Sequence, residues 1–468
     1  MRWTARDELA GINVGNFKLK QRIWSSVAVL EAAPDVPYPK AVDAAGREGW
    51  YRLLGNEDVT PMAALEPHIE QTLKRASAIP DVLALHDTTE ICHAAGSQGE
   101  DFYSLQNGKY GYLAHHSLLV AEEDGMPLGV ANLLFVERDP ERAPRVSSKK
   151  TWLADDKESR RWLTAVEAIQ ARLPRVVHVM DREGDSYELL CRMVEKSCRF
   201  VVRGRTDRNV KGKTGKLLQE IGQAAVVATR EVDVSERKKQ RGRDKKSHPE
   251  RKSRVATLTI SARGVVLKRP KHLPGTGEKG LPTTIRVNVV CVEELNPPEG
   301  QPPVRWILHT SESIDTPEQI TRIVDIYTRR WLIEELFKSL KTGCAFEKRQ
   351  LESLKTSQTA LALTLPIAFN VLRVRHVART NEQAPADTVI SEQELKVLRA
   401  ITRIRLPPKP TAGHIMAAIA ALGGHIKSNG PPGWLVLGRG MQHLAQAIIV
   451  WELAQNSQAE QKTRRSDR

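Results

Sequence analysis

The chain has 468 residues, 40% of them apolar, and a formal net charge of +15. This length and composition exclude a disordered chain and predict two to four folding units at about 100–200 residues each. The apolar stretches fall short of the roughly 18 uncharged residues that a membrane span needs, and the N-terminus lacks the apolar core of a signal peptide. We therefore expect a cytosolic protein without a membrane partner.

The positive charge is unevenly distributed. Between Arg237 and Arg254, ten Lys and Arg residues accompany two carboxylates, so this basic arm alone contributes +8. Such a field attracts nucleic acid, because bound phosphates release their counterions. The alternative is a solvated hairpin tip that has no partner, since charge runs are often only solubilising.

The five cysteines give no sign of a metal or redox motif. They are Cys92, Cys191, Cys198, Cys291 and Cys344, an odd number at scattered positions without a C-x-x-C pair. We expect reduced and mostly buried thiols.

The first two thirds of the chain predict helices followed by a mixed arrangement of strands and helices. Residues 1–70 have short helical patterns separated by breakers such as APDVPYPK. The runs DVLALHD, HHSLLVAEE and MPLGVANLLFVER then read as three strands, the segment from Ser159 to Arg172 as a helix, and RVVHVMD as a fourth strand. The predicted order is therefore β-β-β-α-β.

The last part of the chain returns to helices after a β-rich stretch. From about residue 199 to 310 the apolar runs are short and strand-like, as in TIRVNVVCVEEL, which predicts a β-rich insertion with the basic arm at a hairpin. Thr316, Pro317 and Gln319 form a helix-start signal for a helix that we expect to reach Lys341. Residues 376–468 predict a separate helical unit with a frayed basic tail.

Two acids follow apolar runs that we interpret as neighbouring strands. Asp87 ends the run DVLALHD and Asp181 ends the run RVVHVMD. Side chains at the carboxyl ends of adjacent strands meet in one crevice, and paired carboxylates are suitable ligands for two Mg²⁺ ions in phosphoryl transfer. The alternative is that each Asp only caps the next turn.

A third acid lies on the predicted helix from Thr316 to Lys341. On an ideal α-helix, Tyr327, Arg330, Glu334 and Lys341 fall within a sector of about 60°, where an acid can hold a metal while the cations bind phosphate. The alternative is a simple ion pair between Arg330 and Glu334. Spacing alone leaves both interpretations open.

Several other residues that could suggest a functional site are predicted to lie outside this one. Glu335 points about 100° away from Glu334 and is expected to be solvated or ion-paired. His115 and His116 are adjacent residues of one predicted strand, so their side chains point to opposite faces of the sheet and are not expected to bind one metal together. The segment GKTGK at 212–216 lacks the glycine that a phosphate loop would need at Asp207, so no nucleotide cofactor is expected.

The spacing Y-x₂-R-x₃-E-x₆-K of Tyr327, Arg330, Glu334 and Lys341 is the signature of insertion-sequence transposases. The surroundings also match, with LHDTTE around Asp87, MDREGD around Asp181, and FVVRG, RWILHTSE and AAIAALGGHIKS in order along the chain. The chain therefore resembles the insertion-sequence-4 family of bacterial DDE transposases over nearly its whole length. Its opening MRWTARDELAGINV resembles the family only weakly.

The resemblance implies an α/β fold with a ribonuclease-H-like catalytic core, a mixed sheet with flanking helices, interrupted by the β-rich insertion. It implies a helical domain for DNA-end recognition at 1–70, a catalytic domain at 71–375 and a helical, dimerising domain at 376–468. Asp87, Asp181 and Glu334 would be the catalytic metal ligands for two Mg²⁺ ions, with Mn²⁺ able to substitute.

The resemblance also implies a set of residues that contact DNA. Most of them would hold the 5′ phosphate of the element end, and Trp306 would stack on a flipped base unless it is simply a core residue. The set is Tyr327, Arg330, Lys338, Lys341, Arg203 and Trp306.

The implied activity is cleavage at the ends of a DNA element, through a hairpin intermediate, and strand transfer into target DNA by a homodimer that synapses two ends. Two alternatives stay open. The first is a nuclease with the same core that does not join DNA. The second is a DNA-binding inhibitor of transposition that has no catalytic activity.

Overall fold

The computed structural model describes residues 4–33, 38–93, 101–105, 108–136, 158–234, 236, 250–273, 280–301, 303–349, 351 and 353–466, with side chains as far as residue 455. The chain divides into two compact units. The first unit comprises Met1–Val82, Asp87–Arg145 and Trp331–Arg468. The second unit comprises Leu83–His86 and Val146–Arg330.

Helices and strands are numbered here in chain order. The helices are α1 Ala5–Glu8, α2 Phe17–Ala32, α3 Tyr38–Ala41, α4 Ala44–Gly55, α5 Pro61–Ser77, α6 Arg160–Gln170, α7 Tyr187–Glu195, α8 Leu217–Ile221, α9 Pro317–Arg329, α10 Trp331–Lys338, α11 Leu354–Thr380, α12 Glu392–Ile401, α13 Ala412–Leu422 and α14 Trp434–Ser466. The strands are β1 Val82–Cys92, β2 Tyr103–Ser104, β3 Tyr110–Ala121, β4 Pro127–Val136, β5 Val177–Met180, β6 Arg199–Arg203, β7 Val210–Lys211, β8 Val226–Val234, β9 Arg254–Lys268, β10 Thr284–Glu294 and β11 Arg305–Thr310.

The first unit begins with the helices that the sequence predicts. Thr4, Asn16, Asp43 and Thr60 each cap a helix by accepting a hydrogen bond from a backbone N–H of its first turn. Strands β1, β3 and β4 correspond to the three predicted strands, and β3 and β4 form an antiparallel pair. The two-residue strand β2 between β1 and β3 was not predicted. The predicted domain boundaries stay a prediction.

Helix α11 runs through the core of the first unit. The most apolar 18-residue window of this helix has a mean hydropathy of 1.2. By length and composition the helix could cross a membrane, contrary to the expectation from sequence. However, 94% of that window is buried inside the protein. A buried core helix becomes apolar for this reason alone, so the helix is weak evidence for a membrane.

The second unit contains a mixed sheet. Leu83–His86 of β1 pairs in parallel with β5, and β5 pairs in parallel with β6. The antiparallel strands β11, β10 and β9 follow in that order, and both β7 and β8 pair with β9. The predicted β-rich segment therefore continues this sheet, and the α/β class is confirmed as a mixed sheet with helices.

One apolar core stabilises this sheet. Trp162 of α6, Leu190 of α7, Phe200 of β6 and Val289 of β10 are among the residues that it buries. Residues 237–249 of the basic arm lie outside the described residues. Its last residue, Arg254, forms two hydrogen bonds of 2.7 Å with the carboxylate of Glu294.

The cysteines are free thiols, as predicted. Four are buried and Cys92 is half-buried. Burial raises the pKa of the Cys344 thiol to about 12.

Candidate active site

Asp181 lies at the end of β5, as the sequence predicts. It also caps the short 3₁₀ turn Arg182–Gly184, because its Oδ1 accepts a hydrogen bond from the Glu183 N–H at 2.8 Å. The turn-capping alternative is therefore realised for this residue. A cap of this kind fixes the direction of a half-buried carboxylate and still leaves it able to bind a ligand.

Asp87 lies within β1, which continues to Cys92, and not at the end of a strand. The prediction of a strand end was wrong here because the alternating run beyond Asp87 extends the pairing. Its Oδ1 accepts a hydrogen bond from the Thr88 N–H at 2.8 Å, and the Thr88 hydroxyl lies 2.9 Å from Nδ1 of the buried His115.

The residues that precede the two acids in sequence are partners in the strand register. Within the second unit, His86 of β1 is the parallel register partner of Met180 of β5. Asp87 and Asp181 are the next residues along the chain. His86 and His178 also contact each other, with Nε2 and Nδ1 2.9 Å apart.

The helix that carries the third acid is shorter than predicted. The Thr316 and Gln319 capping box is present, but α9 ends at Arg329 and Arg330 is its C-cap. There the Arg330 N–H donates a hydrogen bond of 3.1 Å to Tyr327 O, three residues earlier in the chain. This 3₁₀-type bond interrupts the α-helical hydrogen-bond pattern, in which each N–H donates to the residue four positions earlier. The predicted single helix to Lys341, on which the 60° sector depended, was therefore wrong.

Helix α10 of the first unit carries Glu334, which is half-buried. A π turn follows at Ser339–Gly343, so Lys341 does not have the direction that ideal α-helical spacing predicts. Lys341 Nζ donates to Glu90 O and lies 3.4 Å from the Glu347 carboxylate. Lys338 is exposed and lies 4.7 Å from the ring centroid of Trp331.

Glu335 is ion-paired, which is one of the two roles predicted for it, the other being a solvated side chain. Its Oε1 lies 2.9 Å from Nη1 of Arg375 and 3.6 Å from Nη1 of Arg379.

In the second unit, three predicted DNA-binding residues come together from distant parts of the sequence. The guanidinium of Arg203 lies 6.0 Å from the Tyr327 ring centroid, and the Trp306 ring meets Tyr327 edge-on at 5.4 Å. Trp306 is half-buried, so part of its side chain packs inside the protein and part reaches the surface. The Nε of Arg203 is buried and has no hydrogen-bond partner among the described residues.

Two further arginines, Arg182 and Arg205, lie within electrostatic range of this group, and the sequence reasoning missed them. Partial burial, together with the charges of Arg203 and Arg205, lowers the pKa of Arg182, while Tyr327 and Asp181 act in the opposite direction. The signal in the sequence was the position of Arg182 directly after Asp181. We call Arg182, Arg203, Arg205, Tyr327 and Trp306 the arginine-aromatic cluster.

The predicted metal ligands are divided between the two units. Asp87 and Glu334 belong to the first and Asp181 to the second. Within the part of the chain that the structure describes, no group of three or more His, Cys, Asp or Glu side chains is arranged to hold a metal ion. The three acids individually offer carboxylate oxygens, the ligand type that Mg²⁺ prefers.

Residues 147–369 match the family model of the transposase DDE domain, which is slightly less than half of the chain. That match supports a DDE transposase. Asp181 and Glu334 lie within the matched residues, and Asp87 precedes them. The chain also resembles a piggyBac transposase solved by cryo-electron microscopy in a synaptic complex with hairpin DNA, at 9% identity and a TM-score of 0.36, over 80% of this chain and 72% of the other.

Proposed function

We propose that this protein is a DNA transposase that cleaves DNA at the ends of its element and joins those ends to target DNA. The observation that carries the proposal is the register of His86 with Met180, since each precedes a motif acid. The family match over Asp181 and Glu334 supports it. We further propose membership of the insertion-sequence-4 family, with the transposon-five transposase as a relative, and a ribonuclease-H-like core.

We propose that Asp87, Asp181 and Glu334 hold two divalent cations, Mg²⁺ or Mn²⁺. The chemistry of three carboxylates suits such ions. When bound, two ions lower the pKa of the attacking water or hydroxyl and stabilise the charge on the leaving oxygen. No covalent intermediate on a Ser or Tyr side chain is then needed.

The remaining site residues are proposed to orient the DNA. Arg203 and Tyr327 of the arginine-aromatic cluster, with Arg182 beside them, form a surface for a terminal 5′ phosphate, because guanidinium groups match phosphate oxygens in geometry and charge. We assign Trp306 to stacking on a base near the cut. Arg330, Lys338 and Lys341 are proposed to extend the contact with the phosphate.

Three further features belong to this proposal. The reaction passes through a hairpin intermediate, two copies of the chain synapse the two ends, and the protein works in the cytosol on chromosomal DNA. Two alternative functions are distinguished by the same experiment: hydrolysis of DNA without joining, and binding of ends without cleavage.

The experiment uses the full chain with Mg²⁺ and duplex DNA that carries the sequences flanking its element. The expected result is a nick that frees a 3′-OH, followed by transfer of that end into a second DNA. Asp181→Asn and Glu334→Gln should each lower the cleavage rate about 100-fold or more, since each removes a metal ligand. Glu48→Gln, at a carboxylate that is 64% exposed, is the matched control.

The outcomes separate the candidate functions. Cleavage that persists after Glu334→Gln contradicts the proposed mechanism. Cleavage of ends without transfer, even when the DNA is supplied already cut, indicates a nuclease. Binding of ends without any cleavage in Mg²⁺ or Mn²⁺ indicates an inhibitor.

A further inference from the structure

Glu335, the neighbour of Glu334 on α10, is tied to helix α11. Its carboxylate lies 2.9 Å from Nη1 of Arg375, and only 15% and 14% of the two side chains are exposed. Arg379 adds a second cation at 3.6 Å. A pair so far removed from water is screened less by salt than a surface pair.

Arg375 is in turn held by the beginning of the C-terminal helix. Its guanidinium lies 4.3 Å from the ring centroid of Trp434, the first residue of α14. Trp is the aromatic side chain that attracts a guanidinium most strongly. One guanidinium thus connects α14, through Trp434, with α10, through Glu335.

Helix α14 also packs on the π turn that ends α10. A Cβ at Gly438 of α14 would lie 2.0 Å from the Gly343 carbonyl oxygen, so the two backbones are in direct contact. Within the same turn, Ser339 donates a hydrogen bond of 2.7 Å to Ala368 O of α11. The end of the segment that carries Glu334 is therefore enclosed by α11 and α14.

The sheet side of α10 is held as well. The Phe337 ring meets the buried His116 of β3 at 5.2 Å, and Lys341 donates to Glu90 O of β1. Successive residues on a helix point about 100° apart. Fixing the directions of Glu335 and Phe337 therefore fixes the direction of Glu334 between the two contacts.

We propose that Arg375 and Trp434 are positioning residues for Glu334, and that the C-terminal helix thereby controls the affinity of the site for divalent cations. The inference rests on the proposed function and deepens it. Neither residue is assigned a contact with metal or DNA. Their effect passes from Trp434 to Arg375, then to Glu335, and so to the rotation of α10.

The test compares variants that break this connection with variants that preserve part of it. Arg375→Ala and Trp434→Ala remove the ion pair or the stacking face, whereas Arg375→Lys keeps a charge and Trp434→Phe keeps an aromatic face. Arg399→Ala is the matched control, because Arg399 bonds to three carbonyl groups of residues 406–408 and has no described contact with α10.

The first measurement is Mn²⁺ binding to the full-length protein with end DNA, by calorimetry or electron paramagnetic resonance, without turnover. The second is the Mg²⁺ concentration for half-maximal cleavage in a single turnover. For Arg375→Ala and Trp434→Ala, the Mn²⁺ dissociation constant and the half-maximal Mg²⁺ concentration should both rise about 10-fold, as expected when a group that orients a ligand is lost. The Lys and Phe variants should recover most of the loss.

A purely structural role gives a different pattern. If the alanine variants lose only melting temperature, as Arg399→Ala does, and keep the wild-type Mn²⁺ affinity, the positioning role is wrong. The proposed function fails separately. It is contradicted if the wild type does not bind Mn²⁺ saturably and the Glu334→Gln variant has the same Mn²⁺ affinity as the wild type. An unchanged affinity of all variants for end DNA in Ca²⁺ supports the proposal, and a parallel loss of DNA affinity contradicts it.

Discussion

Asp185 and Arg208 form an ion pair that is closed off from solvent, with 0% and 8% of their side chains exposed. The Asp185 carboxylate also accepts a hydrogen bond of 2.6 Å from the Arg205 N–H, and the buried His309 lies 3.9 Å from it. Although burial raises the pKa of Asp185, the charges of His309 and Arg208 and these hydrogen bonds lower it overall. This carboxylate therefore fixes the loop that carries Arg205 of the arginine-aromatic cluster.

Asp185→Ala is expected to destabilise the protein by about 3–5 kcal/mol, because it leaves the Arg208 charge buried without its partner. Urea unfolding measures the loss. Glu195→Ala is the control, since Glu195 pairs with Arg192 at 2.7 Å with 63% and 38% of the side chains exposed, and such a pair contributes at most about 1 kcal/mol. Equal losses for the two variants would show that burial of the Asp185 pair is not what stabilises the loop.

The acid limit of stability should depend on Glu8. Burial raises the pKa of Glu8, but the hydrogen bonds and charges of His68 and Arg75 outweigh it and bring the pKa to about 2, from 4.5 in an exposed carboxyl. A carboxyl whose pKa is lower in the folded state stabilises above the unfolded pKa. That contribution, about 3 kcal/mol, is lost as the pH falls from about 4.5 towards 2.

Unfolding by urea at several pH values between 7 and 3 tests this for the wild type and Glu8→Gln. The difference in unfolding free energy should be largest at pH 7 and should shrink below about pH 4.5. Other carboxylates, such as Glu312, have lowered pKa values in both proteins, so only the difference between them is informative. A difference that does not change with pH contradicts the assignment to Glu8.

Arg203→Ala should weaken binding of a DNA end that carries a 5′ phosphate more than binding of the same end without it. Loss of a charge-assisted hydrogen bond to phosphate corresponds to about a 10-fold loss of affinity. Fluorescence anisotropy with both forms of the end measures the ratio. Arg172→Ala removes the same charge from an exposed position in the second unit, and an equal effect on both forms of the end after Arg203→Ala would exclude a specific phosphate contact.

Local signals in the sequence predicted the elements well. The capping box at Thr316 and Gln319 starts α9 where it was expected, because a cap depends on residues three apart in the chain. The same holds for β5, whose apolar run stops at Asp181. The pairing of Glu335 could be foreseen as one option from helical periodicity, although the identity of its partner, Arg375, could not.

Features that depend on tertiary packing were missed. The end of α9 at Arg329 and the π turn at Ser339–Gly343 leave no mark in the periodicity of the sequence. The π turn packs against α11 and α14, which are distant in the chain. The extension of β1 beyond Asp87 depends on its pairing, and the grouping of Arg182 and Arg205 with Arg203 depends on how the loops fold. The assignment of metal ligands to Asp87, Asp181 and Glu334 stays a prediction.

Gly438→Ala offers a test of the backbone contact between α14 and the π turn. An alanine in a helix usually stabilises relative to glycine by about 0.5–1 kcal/mol. At Gly438, however, the new Cβ would lie 2.0 Å from the Gly343 carbonyl oxygen and 2.9 Å from its Cα, so the helix has to move. We expect a net loss of about 1–3 kcal/mol, the usual cost of overpacking.

Gly55→Ala at the end of α4 is the control for this substitution, because no atom lies within 4 Å of its added Cβ. Urea unfolding should therefore show Gly55→Ala as stable as the wild type or more stable, and Gly438→Ala as less stable. If both variants respond alike, helix propensity alone decides the result and α14 does not press on the π turn. A loss confined to Gly438→Ala instead means that α14 cannot shift without disturbing the turn after Glu334, since its backbone is already in contact there.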